Sequence, residues 1–201
     1  MKIIEQSWQW IQKPELPLEL IEKAGRTCYK SEDKITEGSA KKFVEMVIKR
    51  GHHSVIEHVT ASVKFITNRG VLAELTRHRL AAYSVESTRY CNYGRNDIIF
   101  IRPVWWFANL PAQVQWILAM EAAEQHYNAL LELKWRPEQA REVLPNSLKT
   151  EIVMTANARE WRHVFRLRTP KASHPQIREL MLSCLEGFQK EVPIIFDDIG
   201  D

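Results

Sequence analysis

Cysteine is scarce in this chain: Cys28, Cys91 and Cys184 are the only three in 201 residues, and no Cys-x-x-Cys pair occurs. So few and so scattered, they exclude a disulfide framework and a cysteine-built zinc site, and a reducing cytoplasm is the compartment they predict. Long apolar runs are missing too. The nearest approach, Ile98 to Leu110, is interrupted by Arg102, Pro103 and Asn109. It falls short of the roughly 20 residues that a membrane helix needs. The opening MKIIEQSWQW lacks the apolar core of a signal peptide. There is little charge of one sign: 28 basic against 25 acidic residues leave +3, too little to argue for nucleic acid. No repeat, low-complexity segment or flexible linker interrupts the chain.

What remains is an ordinary globular composition, 45% apolar and 26% charged, which is enough to build a core. The length suits one domain over residues 1–201, or one domain that completes itself by oligomerising. Periodicity predicts a short strand at Lys2–Glu5, a helix over Pro17–Tyr29, and another from Glu37 to Arg50 that ends at Gly51. Val59–Thr67 alternates and is rich in β-branched residues, which predicts a strand. Asn68 and Gly70 then open a helix expected to reach Ala82. Cys91–Arg102 has extended character, and Pro111–Trp135 is the longest helix, with Pro111 in its first turn. A short helix precedes Leu144-Pro145. A strand over Thr150–Ala158 leads into a helix to Arg168, stopped by Pro170, and a last helix covers Pro175–Lys190. The chain is therefore mixed α and β, with a sheet order that periodicity does not give.

Three clusters hold the chemistry. In Gly51-His52-His53-Ser54-Val55-Ile56-Glu57-His58, three histidines and a carboxylate invite a metal. The spacing matches neither H-E-x-x-H nor H-x-x-E-H, so no metal ligand is assigned and a polar loop entering a strand is the simpler expectation. The second cluster runs from Thr76 to Tyr90. On a helical wheel continued through it, Arg79 falls between Leu72 and Leu75, in an otherwise apolar arc. A core-facing arginine costs several kcal/mol unless an anion or dense hydrogen bonding compensates, and a structural ion pair would serve as well as a ligand. The hydroxyls and arginine of Ser87-Thr88-Arg89 are the groups that a phosphate monoester needs. The third cluster, Arg159 to Arg178, holds six Lys or Arg residues and one acid, Glu160. Arg159, Arg162, His163 and Arg166 share one helix face, which taken alone would be a solvated basic stripe. Arg168 lies with Trp161, Val164 and Phe165 on the other side and is expected to be shielded.

These segments resemble the flavin-dependent thymidylate synthases, the ThyX family. Arg77-His78-Arg79, seven residues and Ser87 match its R-H-R-x7-S signature. Gly51–His58 is similar to its G-H-x-S-x-x-E-H segment, and Ser87–Tyr90 to its S-x-R-Y continuation. Ala140–Pro145 matches A-R-x-x-L-P. Thr155–Arg159, His163 and Leu167-Arg168 follow T-x-N-x-R…L-R. The likeness covers most of residues 40–180 in the right order. Departures occur at Glu74, where glutamine is usual, at Val85, where an acid or amide is usual, and at His53, commonly acidic.

The resemblance implies methylation of dUMP to dTMP, with 5,10-methylenetetrahydrofolate as carbon donor, reduced FAD as hydride donor and NADPH as its reductant. It implies a homotetramer with active sites shared between subunits, and an α+β core other than the Rossmann type. The absence of a G-x-G-x-x-G turn agrees with that, since arginines can neutralise a pyrophosphate. It assigns Ser54, Arg77, His78, Arg79, Asn157, Arg159 and His163 to FAD. Glu74, Arg77, Glu86, Ser87, Arg89, Arg141 and Arg168 go to dUMP. Arg168, Ser87 and His52 are the catalytic candidates: Arg168 to hold the uracil and favour its N3-ionised form, Ser87 to position and polarise dUMP, His52 to sit near the reacting partners. A nucleic-acid module is the rival class, given seven tryptophans among basic helices. The small net charge and core-facing arginines argue against it, and the lack of a long apolar run argues against a membrane partner.

Overall fold

The computed structural model describes residues 1–95 and 98–200. Residues 96 and 97, inside the segment expected to be extended, and residue 201 lie outside the described residues. The chain falls into two compact units assembled from separate stretches. The first comprises Met1–Ser7, Phe65–Arg77 and Ser84–Ile152; the second comprises Trp8–Lys64, His78–Tyr83 and Val153–Asp201. Among the described residues the strands are β1 (Lys2–Ile4), β2 (Ser7–Gln12), β3 (Thr60–Asn68), β4 (Ala81–Val85), β5 (Ile99–Ile101) and β6 (Lys149–Asn157). The helices are α1 (Pro17–Tyr29), α2 (Ser39–Lys49), α3 (Arg69–Leu75), α4 (Leu110–Glu132), α5 (Pro137–Ala140), α6 (Ala158–Arg168) and α7 (Pro175–Glu191). One sheet pairs β1 with β5 in parallel, Ile3 opposite Phe100; the other has the order β2-β3-β6-β4. The fold is α+β and not a doubly wound Rossmann sheet.

In the first unit, α3 starts where Asn68 Oδ1 accepts from Val71 N at 2.8 Å, and α4 where Asn109 Oδ1 accepts from Ala112 N at 3.2 Å. Both are side-chain caps on otherwise orphaned amides. Pro111 lies in the first turn of α4, as expected. Ile98, Phe100, Met120, Tyr127, Ala140 and Leu148 form this unit's core.

The second unit is held by an aromatic core. Trp161 and Phe165 of α6 meet Phe188 of α7 at 4.9 and 5.1 Å, and Phe196 lies 5.0 Å from Phe188. All four rings are essentially out of solvent, and burying each contributes roughly 1.5–3 kcal/mol. Gly187 of α7 lets Trp8 lie against the helix, since a Cβ there would come within 2.2 Å of the indole.

One expected element differs in the structure. The helix expected from Asn68 to Ala82 ends at Leu75, and Ala81–Val85 is strand β4, beside β6 in the sheet. The apolar spacing over Leu80–Val85 suits either element, and pairing within a sheet outweighs a weak local helical preference. Strand β2 was not anticipated, although its Trp8 and Trp10 alternate with exposed residues. No helix among the described residues is long and apolar enough to cross a membrane.

Candidate active site

In the second unit, α6 places most of the basic cluster. Asn157 is its N-cap, with Oδ1 accepting from Glu160 N at 2.9 Å. Arg159 and His163 are exposed, and Arg159 Nη1 contacts Glu57 Oε1 at 2.6 Å. The expected solvated stripe is broken by Arg162, which is 2% exposed. Its Nη1 and Nη2 donate to the Asp198 carboxylate at 2.5 and 2.6 Å, and Nη1 also to the Ile195 carbonyl. Helical periodicity points Arg162 outward; the chain after α7, Val192 to Ile199, folds back and buries it.

Arg168 ends α6 half-buried, and its Nε donates to His78 Nε2 at 3.0 Å. His78 is 4% exposed. Burial pushes its pKa down to about 4, with the Arg168 and His163 charges adding to the effect. It is therefore a neutral acceptor at neutral pH. Its Nδ1 lies 3.7 Å from the Glu160 carboxylate, itself buried, and Tyr83 Oη donates to the His78 carbonyl at 2.9 Å. Burial, together with the nearby Glu160 charge, pushes the Tyr83 hydroxyl up to about 12 despite Arg168. His78, Glu160 and His163 offer ligand atoms within 4.8 Å of one another. The Arg168 guanidinium hydrogen-bonded to His78 repels a cation there.

Arg79 was expected to face the core. It is exposed, because the residues after Leu75 leave the helix and the wheel that buried Arg79 does not apply. The histidine segment is a 3-10 helix over His53–His58 with Ile56 buried beneath it. His52 and Ser54 are exposed on the rim of a cavity of about 210 Å³ that is also lined by Gly25, Tyr29 and Phe43. Thus the second unit holds His52, Ser54, His78, Arg79, Asn157, Arg159, His163 and Arg168.

The first unit gathers the others. After β4 the chain turns at Ser87, whose Oγ accepts from Arg89 N at 3.2 Å. Arg89 Nε meets Glu138 at 3.0 Å, and Arg141 Nη1 donates to Thr88 Oγ1 at 3.1 Å. The turn thereby sets Ser87 and Arg89 on either side of Thr88, to which Arg141 donates. Glu86 accepts from Tyr93 Oη and from Lys149 Nζ, each at 2.9 Å. Burial alone would lower the Lys149 ammonium, but its hydrogen bonds to Glu151 and Glu86 hold it above its ordinary value. Glu74 is half-buried on α3 and Arg77 is exposed just beyond it. Tyr83 and Glu160, which contact His78, and Lys149, which contacts Glu86, were not among the expected site residues. Asn157-x-x-Glu160 is a legible capping spacing, but nothing in it points to His78.

The fold is α+β and outside the Rossmann type, and its arginines fall into two clusters of the kind that can hold anionic groups. A family model described as "Thymidylate synthase complementing protein" matches residues 10–194. The chain is 33% identical to the flavin-dependent thymidylate synthase of Geobacter sulfurreducens, over 88% of this chain and 79% of that protein. It is 35% identical to that of Mycolicibacterium vanbaalenii, over 89% and 78%. Among solved structures, ThyX from Helicobacter pylori with FAD and dUMP superposes with a TM-score of 0.79 at 23% identity, covering 96% of this chain and 97% of that one. The UMP/dUMP methylase PolB from Streptomyces cacaoi superposes at 0.82 with 22% identity, covering 98% and 96%. The chain belongs to the flavin-dependent thymidylate synthase family.

Proposed function

We propose that this chain carries out the reductive methylation of dUMP to dTMP, taking the carbon from 5,10-methylenetetrahydrofolate and using FAD reduced by NADPH. The observation that carries this reading is the Arg168–His78 hydrogen bond. It joins a residue proposed for the uracil to one proposed for the flavin. The donor set suits FAD: the exposed Arg79, Arg159 and His163 side chains would neutralise its pyrophosphate, and Ser54 and Asn157 would add polar contacts. Bound there, the flavin would supply the hydride.

The chain's own residues do the rest. Arg168 holds the uracil carbonyls and favours the N3-ionised ring, which is the more nucleophilic form. Ser87, Arg89 and Arg141 form a hydroxyl-and-guanidinium group suited to a phosphate monoester, with Ser87 orienting dUMP rather than attacking it. Arg77, Glu74 and Glu86 complete the dUMP set, and His52 lies near the reacting partners. We further propose that residues 1–201 act as one catalytic domain in a cytoplasmic homotetramer, with subunits sharing sites. That arrangement lets Arg77 serve FAD in one site and dUMP in another.

Release of tritium from C5 of dUMP, measured with and without NADPH, tests the reaction: no release, or release that yields no dTMP, in the presence of 5,10-methylenetetrahydrofolate and NADPH would overturn it. Light scattering with flavin absorbance tests the assembly. Stoichiometric FAD is expected on the oligomer, and a monomer that holds it would sink the shared site.

Ser87→Ala separates a substrate role from a structural one. Its Oγ accepts one backbone amide in an exposed turn, so its loss should cost at most about 1 kcal/mol of stability. Turnover should fall far more than that. A variant that melts early and stays active would make Ser87 a turn residue only.

A further inference from the structure

Glu160 belongs to neither set of site residues, yet it is a carboxylate only 5% exposed. A buried carboxylate is costly unless something compensates it. Its backbone amide is capped by Asn157, and its side chain faces the His78 ring, Oε1 to Nδ1, at 3.7 Å. The far nitrogen of that ring, Nε2, accepts from Arg168 Nε at 3.0 Å. A guanidinium has only donors, so His78 Nε2 must present its lone pair and the imidazole proton must sit on Nδ1. That is the nitrogen turned to Glu160. At this distance the contact is electrostatic rather than a hydrogen bond, and a carboxylate on that side favours the Nδ1–H tautomer. Tyr83 Oη pins the His78 carbonyl at 2.9 Å, so the ring is held from its backbone as well.

We propose that Glu160 is a positioning residue: by fixing the tautomer of His78 it sets the direction of the Arg168 guanidinium toward the substrate ring. This rests on the reading of Arg168 as the uracil-holding residue. Without the Glu160 charge, the Nε2–H tautomer gains population and meets Arg168 donor to donor, which turns the fork away. The rival role is local. Glu160 stands in the first turn of α6, where a carboxylate also favours the helix dipole. Burial raises its carboxyl pKa, partly offset by His163, as the low-dielectric setting requires.

Glu160→Gln keeps the shape and removes the charge, and it is tested on the FAD-loaded enzyme. FAD content, melting temperature and NADPH-driven flavin reduction should match the parent. Affinity for dUMP, followed by its perturbation of the flavin spectrum, should fall about tenfold, as for loss of an outer-shell partner. Added to Arg168→Ala, the same change should cause no further loss, since both act through one guanidinium. Additive losses, loss of FAD, or unchanged dUMP affinity would overturn the proposal. So would stoichiometric zinc whose removal abolishes activity, because the His78–Glu160–His163 group would then be a metal centre. If Glu160→Gln does not fold, Glu160→Asp decides: a folded chain with weakened dUMP binding supports the proposal, and parental binding or failure to fold overturns it. If Arg168→Ala itself binds and converts dUMP normally, the reading beneath the proposal has failed. If Arg168→Ala is impaired while Glu160→Gln is not, only the role of Glu160 has failed.

Discussion

Arg168→Ala is expected to lower the rate of dTMP formation by about 10²–10³-fold, the scale on which loss of one preorganised donor to developing charge is felt. The helix that carries it should survive, because α6 is fixed by its Asn157 cap and by Trp161, Val164 and Phe165 in the core. FAD should be retained and should remain reducible by NADPH, with the reducing equivalents no longer reaching dTMP. Arg168→Lys keeps the charge but cannot keep both the Nε–H to His78 and a planar fork, so it should be nearly as poor. The pH profile follows from His78. Its pKa of about 4 in the folded chain lies below the ordinary 6.5. The unfolded chain therefore binds that proton first, and the stability due to a neutral His78 is complete above about 6.5 and lost as pH falls toward 4. Below that, a protonated ring no longer accepts from Arg168, and dUMP affinity should fall before FAD is released. A variant that loses FAD but keeps dUMP affinity would reverse the assignment. One that loses neither would leave Arg168 as a helix-end hydrogen-bond donor.

Helix α1 was legible to the residue, and β6 nearly so, because both obey a local period: β6 alternates buried and half-buried side chains throughout its length. Arg168 was expected to be shielded among the apolar residues of α6, and it ends that helix half-buried, against His78. Arg79 was misplaced by the same tool, since a wheel has meaning only where the helix persists, and this one stops at Leu75. Strand β4 exists through pairing with a partner distant in sequence, which no local period reports. The Arg168–His78 contact spans 90 positions, and the carboxylate facing it looks in sequence like a cap. The motif order made the family legible. How the residues support one another was not.

Asp198→Ala should produce the largest loss of stability among single changes at polar positions. Arg162 is 2% exposed and leans on one carboxylate for two hydrogen bonds and on the Ile195 carbonyl for a third, while its Nε is buried without a hydrogen-bond partner among the described residues. Removing one member of a fully buried pair costs about 3–5 kcal/mol, because the other charge is left behind in a poor solvent. The Asp198 side chain is 44% exposed, so water replaces part of what it provided, and about 2–3 kcal/mol is the expected cost after that discount. For a chain of this length that corresponds to a fall in melting temperature of about 5–10 °C. The exposed Arg159–Glu57 pair is the control. Both partners are more than two-fifths exposed, and Glu57→Ala should cost about 0–1 kcal/mol. Acid should reproduce the Asp198 effect. Burial pushes its carboxyl up, but the Arg162 hydrogen bonds and the Arg162 and Arg166 charges outweigh that and hold it below the ordinary 3.8. A carboxyl depressed in the folded state stabilises above its unfolded pKa, and that contribution disappears as pH falls through the folded value. The stability gap between parent and Asp198→Ala should therefore be widest near neutrality and close below about pH 3.8. A gap that stays constant across that range would mean the cost comes from lost packing of the Val192–Ile199 segment and not from the ion pair.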